Sequence, residues 1–279
     1  MQSPEQRKRH VRSKLERAHF HLETFWKEHD RYFASNPIAV EVKIDVERRP
    51  VYFISRIDPI PDCLQQIAGD AIQNLMGALD HLAYQIICND TMDKPPRPRE
   101  IYFPIEDSVK KYNASKGRKL NGAALDSIEA IDRIRPYRGG NDTLWRLYRL
   151  NNIEKHRLLL DAAPFLAGID LMRFTVRRME KDGVDKEIIK TLEENPTFFR
   201  EVSPDSPLRL GFQPSVGDEI LRDQVDTDPD DKLKFRFRIA LREREVIETP
   251  SFPDLLFELQ QIVIQTVNEL MPLLDRRCP

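Results

Sequence analysis

Residues 62–88 of this chain, DCLQQIAGDAIQNLMGALDHLAYQIIC, predict a long helix with one apolar face. Apolar side chains recur in it every three or four positions, which places them on one side of an α-helix. They include Ala71, Leu75, Leu79, Leu82 and Ile86. Pro59 and Pro61 come just before the stretch and mark its start. An apolar face of this length predicts a core built from several helices.

Three further stretches show the same helical spacing of apolar residues. They cover about 5–33, 123–162 and 252–274. The last is preceded by Ser251-Phe252-Pro253-Asp254, which has the spacing of a capping box. Pro136 divides the middle stretch, and the turn Gly139-Gly140-Asn141-Asp142 supplies an N-cap for a helix from Thr143 to about Ala162. Together with residues 62–88, these stretches predict an antiparallel bundle of four to five helices.

Two regions alternate apolar and polar residues, as half-buried strands do. Residues 40–57 predict an N-terminal β-hairpin, and residues 165–250 predict a β-rich insertion with strands at Ile169–Val176 and Lys232–Arg244. The second strand has an apolar face and a basic face, and we expect the basic face to be solvated. That basic face comprises Lys234, Arg236, Arg238 and Arg242. The polar segment 93–122 is expected to wrap the surface.

These elements predict a single α+β domain over residues 1–279, with an antiparallel β-sheet packed on one side of the helical bundle. The composition fits a globular domain, since 40% of the residues are hydrophobic and 32% are charged. Only 10 residues are glycine, and neither G-x-G-x-x-G nor G-x-x-x-x-G-K-[ST] occurs. The common glycine-rich phosphate loops are therefore excluded.

The three cysteines, Cys63, Cys88 and Cys278, are far apart and form no C-x-x-C pair. Neither a structural zinc site nor a disulfide framework is expected from them. The N-terminus lacks the apolar segment of a secretory signal, and no apolar run approaches the roughly 18 residues needed to span a bilayer. We expect a cytoplasmic protein that needs no membrane, metal or cofactor.

The helix from Thr143 carries an unusual polar column. At about 100° per residue, Arg149, Asn152 and His156 align within a face that is otherwise aromatic and aliphatic. Charged and polar groups that are removed from water must be paired with another polar group or serve a function. The column therefore predicts either a functional site or a structural network in which Arg149 pairs with Asp70 or Asp80.

The helix at 62–88 offers a second polar set. Asp70, Asn74 and His81 lie within about 60° of one another, and Asp80 lies at the opposite border of this polar face. Two interpretations remain open. These side chains either support the column on the other helix or form the solvated side of an amphipathic helix.

The segment Arg149-Leu150-Asn151-Asn152-Ile153-Glu154-Lys155-His156 resembles the R-x(4–6)-H motif of the HEPN superfamily. These are helical-bundle proteins that include many metal-independent ribonucleases of bacterial defence and toxin–antitoxin systems. Residues 69–83 and 150–157 are also similar to stretches of a bacterial group placed near that superfamily. In active members the residue after the arginine is usually polar, whereas here it is Leu150 and the asparagines follow at 151 and 152.

The resemblance implies RNA cleavage by attack of a ribose 2′-hydroxyl on the adjacent phosphate. His156 would act as general acid or base, and Arg149 would stabilise the charge on the phosphorane. Asn152 or Asn151 would orient the histidine or the phosphate. Family members commonly complete the site by dimerising across this helix, so a homodimer is implied, with an antitoxin or another protein as partner. The alternative is a catalytically silent module of the same fold that binds a nucleotide, RNA or a protein, and Leu150 favours it.

Local charge is consistent with RNA as the partner. Between residues 133 and 157, seven Lys or Arg side chains face two acids, a local net charge of +5 within a chain whose net charge is −2. The predicted RNA contacts are Arg138, Trp145, Lys155 and Arg157, with the indole stacking on a base. The other interpretation is a charged rim around core aromatics.

Overall fold

The computed structural model describes residues 2–156, 160–169, 213–223, 233–241 and 251–275, together with isolated positions between 176 and 229. Six α-helices are present in these ranges: α1 (Pro4–Ala34), α2 (Asp62–Asp90), α3 (Val109–Lys119), α4 (Leu125–Ile134), α5 (Asp142–His156) and α6 (Phe252–Leu270). Five strands accompany them: β1 (Ile38–Ile44), β2 (Pro50–Ile57), β3 (Ala162–Ile169), β4 (Glu219–Arg222) and β5 (Phe235–Leu241). Short 3₁₀ turns occupy Pro98–Glu100 and Met271–Asp275.

Four of the helices, α1, α2, α5 and α6, pack together as the bundle. The predicted apolar face of α2 is buried throughout, from Ala71 to Ile86, and contacts the other three helices. Helix α6 begins as the sequence predicts, because the side chain of Ser251 accepts a hydrogen bond from the backbone N–H of Asp254. The α+β class and the bundle are therefore confirmed.

The strands form two antiparallel sheets rather than one. The hairpin β1–β2 gains β4 as a third strand, in the register Val51 to Arg222, while β3 pairs with β5. A second, smaller core of apolar side chains lies between the sheets and includes Tyr52, Ile54 and Leu166. The ring of Tyr52 on β2 lies 5.9 Å from that of Phe235 on β5. This contact joins the two sheets, and β5 also reaches the helical core through Ile239 and Leu241.

The predicted end of the helix that contains α5 is wrong, because Ala162 does not end a helix but begins β3. Of the strand expected at Ile169–Val176, residues 170–175 lie outside the described ranges. The segment AAPFLAGI is apolar almost throughout and Ala163, Phe165 and Leu166 are all buried. A strand buried on both faces shows no alternation, so its periodicity resembles that of a continuing helix. Residues 157–159, 170–175 and 242–250 lie outside the described ranges.

The segment 93–122 also differs from its prediction, because it contains helix α3. Tyr112 is the one buried residue of this helix, so no apolar stripe revealed it. Its start is fixed by Ser108, whose side chain accepts a hydrogen bond from the backbone N–H of Lys111. The residues before it, Ile101, Phe103 and Ile105, belong to the main core rather than to the surface.

Candidate functional site

Helix α5 begins at a tightly built turn. Asn141 caps it by accepting a hydrogen bond from the backbone N–H of Leu144 at 3.1 Å, as the sequence predicted. The carboxylate of Asp142 accepts the N–H of Gly139, whose φ of +81° favours glycine. A Cβ at Gly140 would lie 2.5 Å from the carbonyl oxygen of Arg135, so this position also excludes a side chain. The turn fixes where the polar column starts relative to α4.

The polar column of α5 is on the accessible side of the helix. Leu144, Leu147 and Leu150 are fully buried in the main core. Arg149 and Asn152 point the other way and are partly exposed. Asn151 differs from its neighbour, since it is only 2% exposed. Of the two asparagines proposed to assist, Asn152 is therefore the one that a ligand on this surface can reach.

Arg149 forms no hydrogen bond or ion pair with another residue in the described part of the chain. It lies within electrostatic reach of Asp107, whose carboxyl pKa is lowered mainly by hydrogen bonds from Lys111 and Trp145 and further by Arg149. The two carboxylates proposed as its structural partners, Asp70 and Asp80, are engaged elsewhere. The guanidinium is thus a cation at the surface with its donor fork unoccupied.

Trp145 is a structural support rather than an open platform for a base. Its indole Nε1 donates to Oδ1 of Asp107 at 3.1 Å, and the ring is only 7% exposed. The guanidinium of Arg138 lies 4.7 Å from the ring centre. Oδ2 of Asp107 pairs with Nζ of Lys111 at 2.8 Å, and these bonds to Lys111 and Trp145 hold the pKa of this carboxyl below its ordinary value. Arg138 is therefore held at the surface, while the indole is covered.

Among the four polar α2 residues predicted to support the column, Asp80 is the one that interacts with a side chain of α5. Its Oδ1 accepts the backbone N–H of Phe103 at 2.9 Å. Burial raises the pKa of Asp80 to about 6, although Lys155 of α5 and Lys119 of α3 oppose the rise. Lys155 is exposed at the same place. Asp80 is thus a carboxyl shielded from water, with a raised pKa, within electrostatic reach of Lys119 and Lys155.

Of the other three polar residues of α2, Asp70 and His81 lie near side chains of α1, and Asn74 bonds within its own helix. Oδ2 of Asp70 lies 3.9 Å from Nδ1 of His21, and Asn74 donates to the backbone carbonyl of Asp70 at 2.8 Å. Burial lowers the pKa of His81, and Lys14 and His10 of α1 add to the effect. Asp70, Asn74 and His81 therefore do not join the column on α5.

Two predicted residues fall at the edge of what the structure describes. The backbone of His156 ends α5, but its side chain lies outside the described part of the structure, as does the whole of Arg157. His156 comes seven positions after Arg149 in the helix, a rise of about 10 Å along the axis.

The sequence reasoning missed the contribution of α3. Lys119 of this helix pairs with Glu106 at 2.8 Å and lies 6.0 Å from the ring centre of Tyr148 on α5. Lys111, on the same helix, is the partner of Asp107. The run KKYNASKGRK at 110–119 contains five cations, and this charge density was the available signal. We use the name α3–α5 surface for the surface formed by α3, α5 and the turn before α5. Its cations are Lys111, Lys119, Arg138, Arg149 and Lys155.

In comparisons with known proteins, no family model, curated protein or solved structure matches this chain. Within the described ranges, no three His, Cys, Asp or Glu side chains are grouped so that they could hold a metal ion. No described helix has both the length and the apolar character required to cross a membrane.

Proposed function

We propose that the protein is a HEPN-like endoribonuclease, acting without a metal in bacterial defence or a toxin–antitoxin system, with the α3–α5 surface as its RNA site. The observation that supports this most is Arg149, a partly exposed guanidinium with no acid bound to it among the described residues. The other described cations that the sequence predicts to contact RNA, Arg138 and Lys155, are exposed. Carboxylates nearby are neutralised, Asp107 by Lys111 and Glu106 by Lys119. A phosphate therefore meets net positive charge here.

The proposed reaction uses the 2′-hydroxyl of the substrate itself. The 2′-oxygen attacks phosphorus and the bond from phosphorus to the 5′-oxygen breaks, which leaves a 2′,3′-cyclic phosphate and a 5′-hydroxyl. Arg149 binds two phosphoryl oxygens through its planar fork and stabilises the added charge. His156 takes the proton of the 2′-hydroxyl. The leaving 5′-oxygen takes a proton from the protonated imidazole of the second His156 in a homodimer, so one histidine acts as base and the other as acid.

A second candidate function is supported by Leu150. This residue is fully buried in the main core, and Asn151 beside it is almost fully buried. The position that is usually polar in active relatives of this motif is thus used for packing. The same surface would then bind RNA, a nucleotide or a protein partner without turnover.

RNA binding and cleavage assays separate these functions. Purified protein and its Arg149→Ala and His156→Ala variants are incubated with end-labelled single-stranded RNA, with Lys94→Ala as a matched control at an exposed cation elsewhere. An enzyme cleaves only with both residues intact. A silent module binds RNA, loses binding in Arg149→Ala and never cleaves. Equal binding by all four proteins would remove this surface from consideration.

A further inference from the structure

A cavity lies between α1, β5 and the start of α6. It has a volume of about 520 Å³, opens to solvent on one side and lies within the size range of small-molecule sites. Among its described lining residues are Trp26 and Phe33 of α1, Lys234 before β5, Arg238 of β5 and Asp254 of α6. None of these residues belongs to the α3–α5 surface. We call this cavity the β5 cleft.

One wall of the β5 cleft is aromatic. Trp26 is 37% exposed, which is unusual for so large an apolar side chain. The ring of His29 lies 5.7 Å from that of Trp26 and 4.9 Å from that of Phe33, so the three rings form a continuous row along α1. A neighbouring cavity of about 300 Å³ shares Phe33 and continues over apolar side chains of β1. This wall offers a surface on which a planar ring can stack.

The opposite wall is basic. It carries Lys234, Arg236 and Arg238 from the face of β5 that the sequence predicted to be solvated. Asp254 is the acid among the described lining residues, and its Oδ2 is paired with Nη1 of Arg238 at 2.8 Å. Lys234 is exposed and has no ion pair with another described residue. Lys234 is therefore the freely available cation among the described residues of this wall.

We propose that the β5 cleft binds a nucleotide unit, with the base stacked along Trp26 and Phe33 and the phosphate bound by Lys234. An apolar ligand would leave Lys234 without a partner, and a bare anion would leave the aromatic row uncovered. A nucleoside phosphate satisfies both walls at once, as at sites where aromatic side chains stack bases beside a basic strand. The unit comes either from a free nucleotide or from an RNA strand.

Calorimetric titration with four probes tests the cleft on the full-length protein: AMP, adenosine, inorganic phosphate and a pentaadenylate RNA. We expect AMP to bind more tightly than either adenosine or phosphate. Lys234→Glu and Trp26→Ala are each expected to weaken AMP at least tenfold, and Lys94→Glu is the matched charge-reversal control. Lys234 is exposed, so its variant keeps the fold even if Trp26→Ala does not.

The outcomes distinguish this site from the α3–α5 surface. AMP binding that persists in Arg149→Ala and is lost in Lys234→Glu supports the cleft, whatever becomes of the proposed ribonuclease. Binding of the RNA alone, weakened by Lys234→Glu, assigns the nucleotide unit to a strand. Absence of binding by AMP and RNA, phosphate binding as tight as AMP, or equal affinity in Lys234→Glu and Lys94→Glu overturns the proposal.

Discussion

Gly69 of α2 packs directly against Glu154 of α5, so closely that a Cβ at Gly69 would lie 2.9 Å from Cγ of Glu154. The carboxylate of Glu154 also accepts a hydrogen bond from Gln73, one turn further along α2. The two helices can approach this closely because glycine has no side chain. The position of the α3–α5 surface therefore depends on Gly69.

Enlarging Gly69 is expected to push the helices apart. Gly69→Leu should destabilise the protein by about 1–3 kcal/mol, the usual cost of overpacking, measured by urea denaturation. Adding Glu154→Ala should restore part of the loss, because it removes the atoms in the way. Gly117→Ala in α3 is the control: a Cβ there would have no described atom within 4 Å, and better helix propensity should raise stability by up to about 1 kcal/mol. An unchanged midpoint for Gly69→Leu would contradict this packing.

Because the pKa of Asp80 is raised, replacing this residue is expected to increase the stability of the protein in a pH-dependent way. The native pKa is about 6 and the ordinary value is 3.8, so between these pH values the native state holds a proton that the unfolded chain has released. The free energy of unfolding therefore falls as the pH rises through this window, and the whole loss is present above pH 6. Asp80→Asn should stabilise the protein by up to about 3 kcal/mol at pH 8, since each pKa unit corresponds to about 1.4 kcal/mol.

The same variant should show no gain near pH 4, where Asp80 is protonated in the native state. Asparagine keeps an oxygen that accepts the N–H of Phe103, so the hydrogen bond is retained. Urea denaturation at pH 4, 6 and 8 measures the difference. Destabilisation at pH 8 would mean that attraction to Lys119 and Lys155 outweighs burial of the carboxylate.

A buried arginine near the start of α1 gives a third prediction. Arg7 is 2% exposed, and it donates to Oδ1 of Asp93 at 2.5 Å and to Gln85 of α2 at 3.1 Å. Asp93→Ala leaves this charge buried and unpaired, which should cost about 3 kcal/mol. Arg31→Ala removes an exposed pair with Glu28 and should cost less than about 1 kcal/mol. Thermal denaturation of the two variants side by side compares their losses of stability. Equal losses would contradict the prediction.

Arg149 should affect RNA binding without affecting stability. It has no ion pair within the described structure, so Arg149→Ala should melt within a degree or two of the parent protein. On the RNA proposal, this variant should lower the slope of log affinity against log salt by about 0.7, the value for one phosphate contact on a single strand. Lys94→Ala should leave the slope unchanged. A large fall in melting temperature would instead assign Arg149 a structural role.

Local sequence patterns predicted the helices and their caps better than they predicted which helices pack against one another. The stripe on α2 and the caps at Asn141 and Ser251 are properties of short segments, and all three are confirmed. A helical wheel gives the angle between Asp70 and Asp80 but not which helix lies at each angle. The structure places α1 beside Asp70 and α5 beside Asp80. That choice depends on packing between distant segments, which periodicity does not encode.

The pairing of β2 with β4 joins Val51 to Arg222 across more than half of the chain. Contacts between such distant positions form slowly, because a long loop must close before any hydrogen bond is gained. The α1–α2 pair, joined by one hairpin, has no such delay. During synthesis the edge of β2 is therefore unprotected until residues 219–222 have left the ribosome. The nascent chain is most prone to aggregate in that interval, and a fragment that stops before Glu219 would keep this liability permanently.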